Sequence, residues 1–161
     1  RFKKDIFLDF KTPNGRGDLS KVKIKDKEIF LVDEAYNSNP LSLKTAIENY
    51  DKLKSKNSKK YLILGDMLEL GKHSLQQHKL ISRIINKTKI NQVYVIGKLI
   101  KETYKGLKPS KKAQIISNKN DIINLINENL NNNDYLMIKG SNSTGLNRLV
   151  STIKKGNINA L

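Results

Sequence analysis

The sequence predicts an α/β domain of three layers, a mostly parallel sheet with helices on both faces. Three observations carry this. From residue 29 onward, short β-branched runs alternate with longer amphipathic stretches about five times. The runs are continuously apolar rather than alternating, which marks strands covered on both sides. Glycine ends three of them, at Gly65, Gly97 and Gly140.

The elements follow in order. Residues 6–10 and 22–24 read as short strands, joined by the turn-forming string Thr12-Pro13-Asn14-Gly15-Arg16-Gly17-Asp18. Residues 1–17 are expected to be the tail of a preceding domain and a hinge, and 18–161 the domain itself. The run at 29–32 is a strand, and apolar positions 43, 46, 47, 50 and 53 predict a helix over 41–53. A strand at 61–64 stops at Gly65, and a helix over 74–85 carries Leu75, His78, Ile81, Ile84 and Ile85 near one face. A strand at 93–96 stops at Gly97 and precedes a short helix over 98–104. The remainder reads as a strand at 113–116, a helix over 121–130 with an exit at Asn131-Asn132-Asn133, a strand at 135–139 and a helix over 146–154.

Length and composition exclude several classes. The chain of 161 residues fits one domain and can bury a core without staples. It has no cysteine, which excludes a disulfide scaffold, a zinc-finger-type site and a thiol nucleophile. Its two histidines exclude a multi-histidine metal site. No apolar run approaches the roughly 20 residues of a membrane span, and no signal peptide is recognised, so a cytoplasmic location is expected. The chain begins with Arg1 rather than methionine, as expected of a piece of a longer protein.

The net charge of +16 invites a nucleic-acid partner. The composition argues against one. Lysine accounts for 27 of the 31 basic residues, and lysine, asparagine and isoleucine make up 65 of 161 residues. All three have AT-rich codons, so base bias alone produces the excess. Nucleic-acid readers rely on arginine and stacking aromatics, and aromatics here are 6%.

In an open α/β sheet, ligands bind at the carboxyl ends of the strands. Four segments fall there: residues 33–40, residues 65–71, Gly97-Lys98 and residues 139–143. Neither G-x-G-x-x-G nor G-x-x-x-x-G-K-[ST] is present, so the domain is Rossmann-like without the phosphate-cradling fingerprint. Each segment has two readings. In 33–40, Asn39 or Ser38 caps a helix begun by Pro40, or Asp33, Tyr36 and Asn37 clamp ribose hydroxyls or phosphate-linked groups. In 65–71, Asp66 caps and Leu68 and Leu70 pack, or Asp66 or Glu69 meets an ammonium. After residue 139, Ser141 or Ser143 caps the last helix, or that helix start holds an anion. His78 is a packing residue or a catalyst. Arg16, between two glycines, is a plain surface arginine or one that reaches a phosphate or stacks on a base.

Taken in order, Gly15-Arg16-Gly17-Asp18, Asp33-Glu34-Ala35-Tyr36-Asn37-Ser38-Asn39-Pro40, Leu64-Gly65-Asp66-Met67-Leu68-Glu69-Leu70-Gly71, His78 and Lys139-Gly140-Ser141 resemble the C-terminal part of the Mur ligases of peptidoglycan synthesis. The resemblance runs from about Pro13 to Val150, and its Y-N-x-N-P and G-D-M-L-E-L-G strings are the specific ones. It points to the branch that joins D-Ala-D-Ala to UDP-N-acetylmuramoyl-tripeptide. It implies ATP-dependent amide formation through an acyl phosphate, with ATP and Mg²⁺ held mainly by a central domain elsewhere in the chain. The fragment is then inactive alone, with no metal ligand and no certain catalytic residue of its own. By this resemblance Arg16, Asp33, Tyr36, Asn37 and Asn39 face the nucleotide, and Asp66, Met67, Glu69, Lys139 and Ser141 face the amino substrate. The sequence departs from the family where two aspartates and a serine usually replace Asp33, Glu34 and Ala35. It departs again at Asn142, often arginine, and across Ser143-Thr144-Gly145-Leu146. Three rivals remain: a sister Mur ligase adding another amino acid, a basic nucleic-acid-binding module, and an interaction domain whose loops are only caps.

Overall fold

The computed structural model describes residues 15–55 and 57–156. The strand expected at 6–10 and all of the expected hinge before Gly15 lie outside the described residues. Among the described residues, six strands form one sheet: β1 (Asp18–Ile24), β2 (Lys27–Glu34), β3 (Lys60–Gly65), β4 (Gln92–Ile96), β5 (Lys112–Ile116) and β6 (Tyr135–Lys139). Five α-helices of the described residues accompany them: α1 (Pro40–Lys52), α2 (Ser74–Ile85), α3 (Lys101–Lys105), α4 (Asp121–Asn129) and α5 (Leu146–Lys154). The strand order is β1-β2-β6-β3-β4-β5, parallel from β2 to β5. Among the described residues, β1 alone runs antiparallel, as the edge partner of β2.

That order explains the layers. From β2 through α1, α2 and α3 the chain moves one way across the sheet; α4 then returns it to β6, between β2 and β3. Parallel crossovers are right-handed, so reversing direction moves the helix to the opposite face. On one face α1 and α2 pack on Val32, Leu62, Leu64, Val93, Val95 and Met137. On the other, α4 and α5 pack on Ile29, Leu31, Tyr61, Ile63, Leu136 and Ile138. The two sets alternate along each strand, as a period of two requires, and both are buried, which is why these strands read as unbroken apolar runs.

Three differences from the sequence reading have local causes. β1 starts at Asp18 rather than residue 22, because its full length pairs with β2 from Asp18 opposite Asp33. It is an edge strand in which exposed Lys21 and Lys23 alternate with buried Val22 and Ile24. α3 is shorter than expected because the N–H groups of Lys98, Leu99 and Ile100 are tied to the Asp66 carboxylate. Neither Ser141 nor Ser143 caps α5. Gly145 stands at its cap with φ +74° and gives no side-chain bond, and a short turn at Asn142–Thr144 intervenes.

Part of the lysine excess is internal. Lys60 Nζ donates to Asp51 O (2.6 Å) and Leu53 O (2.7 Å) at the end of α1. Lys111 Nζ donates to Thr88 O and Ile90 O after α2, and Lys27 Nζ to Asn127 O and Leu130 O at the end of α4. Helix ends leave carbonyls without intrahelical partners, and at α1 and α4 lysine side chains satisfy them, as Lys111 does for the loop after α2. Burial pushes the Lys60 and Lys111 ammoniums below the usual lysine range. Among the described residues, no helix is long and apolar enough to cross a membrane.

Candidate functional site

Because β6 is inserted between β2 and β3, the loops leaving these three strands converge at the carboxyl edge of the sheet. Ser141 joins them. Its Oγ accepts from Leu68 N (3.0 Å) and donates to Ser38 O (3.3 Å), while its N–H donates to Asp66 O (3.1 Å). One buried residue therefore fixes the loop after β2 against the loop after β3.

Asp33 and Glu34 are adjacent on β2 and point to opposite faces, so they have different partners. Asp33 is 5% exposed. Its Oδ1 accepts from Ala35 N (3.1 Å), and its Oδ2 accepts from Lys154 Nζ (2.8 Å), which also reaches Asp18 Oδ2 (2.7 Å). Burial pulls the Lys154 ammonium down, but hydrogen bonds to Asp18 and Asp33 outweigh it and raise its pKa above the usual lysine value. Glu34 meets Lys139, whose side chain is only 2% exposed. Lys139 Nζ donates to Asn37 O at 2.7 Å and lies 3.5 Å from Glu34 Oε2. Burial pushes the Glu34 carboxyl up, against the pull of Lys139, and pushes the Lys139 ammonium down, against the pull of Glu34. Lys139 thus holds the backbone of the Tyr36–Asn37 loop from beneath.

The side chains above that support face outward. Tyr36 is 51% exposed, and the Arg16 guanidinium stands over its ring, 4.9 Å from the centroid. The backbones of the two segments are joined by Tyr36 N to Gly15 O (3.3 Å) and Gly17 N to Asp33 O (2.9 Å). Asn39 closes the capping box of α1, accepting from Ser42 N while Ser42 Oγ accepts from Asn39 N. A cleft of about 470 Å³ is lined by Arg16, Glu34, Tyr36, Asn37, Asn39 and Lys139 among others. Asp33 does not line it; it lines a neighbouring cleft of about 350 Å³ with Tyr36 and Lys154.

The loop after β3 is built differently. The Asp66 carboxylate accepts from three backbone N–H groups, those of Lys98, Leu99 and Ile100 (3.1, 3.0 and 2.7 Å). Gly97, at φ +137°, is required there, since a β-carbon would collide with that carboxylate. The Met67 side chain is fully buried in the core against α1 and α2. Its N–H donates to His78 Nε2 (3.1 Å), and His78 Nδ1 lies 2.7 Å from Ser74 O. An N–H can only donate and a carbonyl only accept, so the imidazole hydrogen is on Nδ1. His78 is fully buried. Glu69 alone of this group is exposed, with backbone φ +64°. It lines a cleft of about 370 Å³ with Tyr36, Asn37, Leu68, Ser141 and Asn142.

The structure therefore brings Tyr36, Asn37, Glu69 and Ser141 to one cleft, and Arg16 and Asn39 to the adjoining one. It buries Met67, ties the Asp66 carboxylate to the backbone of the loop after β4, and places Lys139 in the floor. Sequence reasoning missed the partners that make this possible: Glu34 for Lys139, Lys154 for Asp33, Ser38 and Leu68 for Ser141. Glu34 was visible as the second of two adjacent acids; the others were not, since their contacts join elements distant in sequence.

Comparison with known proteins agrees with this architecture. A family described as "Mur ligase, glutamate ligase domain" matches residues 19–142. The chain belongs to that family. It is 33% identical over 131 residues to the UDP-N-acetylmuramoyl-tripeptide–D-alanyl-D-alanine ligase of Bacillus subtilis, covering 80% of this chain and 28% of that one. It is 34% identical over 127 residues to the ligase of the same name from Buchnera aphidicola subsp. Baizongia pistaciae, covering 78% and 26%. The chain thus spans about a quarter of the length of these curated relatives. The same fold occurs in the crystal structure of the MurF ligase from Thermotoga maritima in complex with ADP, with a TM-score of 0.72 at 24% identity, covering 91% of this chain and 32% of that one.

Proposed function

We propose that residues 18–161 are the C-terminal domain, and residues 1–17 the hinge and the tail of the central ATP-binding domain, of a cytoplasmic ligase that joins D-Ala-D-Ala to UDP-N-acetylmuramoyl-tripeptide in peptidoglycan synthesis. The observation that carries this reading is the convergence of three loops on Ser141, which sets exposed Tyr36, Asn37 and Glu69 around one cleft. The named relatives support the choice of acceptor.

ATP supplies the phosphoryl group that converts the tripeptide's terminal carboxylate to an acyl phosphate, releasing ADP. The amine of D-Ala-D-Ala then attacks that carbonyl, losing a proton and expelling phosphate. This domain's residues bind and orient. A guanidinium over an aromatic ring beside exposed amides fits a nucleotide base and ribose, so Arg16, Tyr36, Asn37 and Asn39 face the nucleotide. Asp33 holds the start of that loop through Ala35 N and Lys154. Glu69 meets the ammonium of the amino substrate before it gives up its proton. Asp66, Met67, Lys139 and Ser141 set the shape of the surface on which that substrate lies. Among the described residues, no group of three or more His, Cys, Asp or Glu is placed to hold a metal ion. This reading assigns Mg²⁺ and the phosphate loop to the rest of the parent chain.

The test is phosphate release by the full-length parent with ATP, Mg²⁺ and UDP-N-acetylmuramoyl-tripeptide. Release that requires D-Ala-D-Ala is expected. Release triggered by a single amino acid would instead assign the chain to a sister ligase, and no release with any acceptor would overturn the reading.

A further inference from the structure

The charged side chains are sorted between the two faces of the sheet. Residues 71–108, which carry α2, α3 and their loops, hold nine Lys and Arg residues, all of them exposed, against one acid, Glu102. Residues 117–133, which carry α4 on the opposite face, hold one lysine, two acids and eight asparagines. Base bias accounts for the amount of lysine in the chain but not for this placement. Lysine and asparagine codons are both AT-rich, so bias does not decide which of the two covers a given helix.

The cations form one surface, because α2 and α3 lie against each other. Thr103 Oγ1 donates to His78 O (2.6 Å), and a β-carbon at Gly106 would collide with Ser82. On α2, Lys79 and Arg83 are four residues apart, and Lys87 follows at the same interval, on the side away from buried His78, Ile81 and Ile85. Lys101 and Lys105 repeat the interval on α3. The acids nearby are occupied. Glu102 pairs with Lys105 (2.5 Å) and Lys79 (3.8 Å); at the border with α1, Asp51 accepts from Lys89 N (2.7 Å) and Glu48 lies 4.0 Å from Lys44. Two leucines flank the row on α2. Leu75 is 54% exposed, although its spacing groups it with the buried residues, and Leu80 is 36% exposed.

We propose that the outer face of α2 and α3 docks on an anionic lipid bilayer. A nucleic acid fits this face less well, since bases need aromatic rings to stack on. The two aromatics of residues 71–108 do not offer one: Tyr94 is buried, and Tyr104 is half-buried with its hydroxyl on Ala113 O. Ammoniums on long flexible stems suit a diffuse negative surface that has no fixed geometry. Exposed leucines beside them suit the boundary between headgroups and acyl chains. Lys79, Arg83 and Lys87 then meet lipid phosphates while Leu75 and Leu80 enter that boundary. Docking is peripheral. The clefts that hold Tyr36, Asn37 and Glu69 include no residue of 71–108, so it leaves them uncovered. The inference does not rest on the ligase reading.

The experiment is cosedimentation of the full-length parent with vesicles of phosphatidylcholine and phosphatidylglycerol in equal parts, and with vesicles of phosphatidylcholine alone, at low and high salt. The wild type is expected to bind the anionic vesicles only and to be released by salt. Combining Lys79→Gln, Arg83→Gln and Lys87→Gln should weaken binding about tenfold to a hundredfold with Tm unchanged, the range for three cations near an anionic surface. Combining Leu75→Ser and Leu80→Ser should weaken it about threefold to tenfold at either salt concentration. A control that removes as many charges from the opposite face, Lys119→Gln with Arg148→Gln and Lys155→Gln, should lose far less. Absent binding, equal binding to both kinds of vesicle, an unchanged α2 variant, or an equal loss in the control would overturn the inference and leave the ligase reading intact. A duplex oligonucleotide that displaces the vesicles, and whose binding is lost in the α2 variant, would overturn it by giving the face to nucleic acid.

Discussion

The loops after β2 and β3 carry equally distinctive strings, yet they use their polar residues in opposite ways. After β2, the backbone is held from outside the loop, by Lys139 on Asn37 O and by Gly15 O on Tyr36 N, and the side chains of Tyr36 and Asn37 are left facing out. After β3, Ser141 and His78 hold the backbone from outside, and the loop's own carboxylate is spent on support as well. Asp66 ties down the start of the next loop, and Met67 is fixed by its N–H on His78 Nε2 and by its side chain in the core. Of residues 66–70, Glu69 alone is exposed. A string can therefore be distinctive because its residues touch a ligand or because they build the surface that does.

The largest effect expected from this contrast is at His78. His78→Ala leaves a cavity and an unpaired Met67 N–H in the core and should cost about 3 kcal/mol by denaturant unfolding of the parent. A cost under about 1 kcal/mol would show that the imidazole is not a support. Tyr36→Ala should do the reverse. It should leave the melting temperature unchanged and raise KM for ATP about threefold to thirtyfold, as loss of a cation–π surface does. A drop in Tm with unchanged KM would move Tyr36 to the supporting group.

A smaller effect concerns the anchor of β2 on α5. Lys154 has a pKa raised above 10.5 in the folded chain by Asp18 and Asp33. A raised lysine pKa contributes stability that is fully present below the unfolded value and is lost as pH rises through the folded one. The Tm difference between wild type and Lys154→Met should hold from neutral pH to about 10.5 and shrink above it. A difference that does not change with pH would mean that the side chain acts by packing alone.

Most of the fold was legible because buried parallel strands leave an unmistakable pattern; the spans of α2, α5 and β6 agree with the sequence reading residue for residue. The site was legible only in part. Position at strand ends identified the right loops, and Asn39 and Pro40 revealed their cap directly. Which way each loop residue faces was not legible, since it depends on contacts between distant segments. Asp33 is oriented by Lys154, 121 residues away, and Lys139 by Asn37, 102 residues away. The role of each lysine was illegible for the same reason. The sequence cannot distinguish Lys60 or Lys111, which cap carbonyls inside the domain, from lysines on the surface.

The division between supporting and facing residues is tested most directly within the G-D-M-L-E-L-G string, by measuring Tm and KM for D-Ala-D-Ala in the parent enzyme with Asp66→Ala and with Glu69→Gln. Asp66→Ala should lower Tm, at a cost of about 2 kcal/mol for the amides left without their acceptor. Glu69→Gln should leave Tm in place and raise KM for the dipeptide. The opposite pattern, a stable Asp66→Ala with weakened dipeptide use and an unstable Glu69→Gln with normal kinetics, would contradict the account.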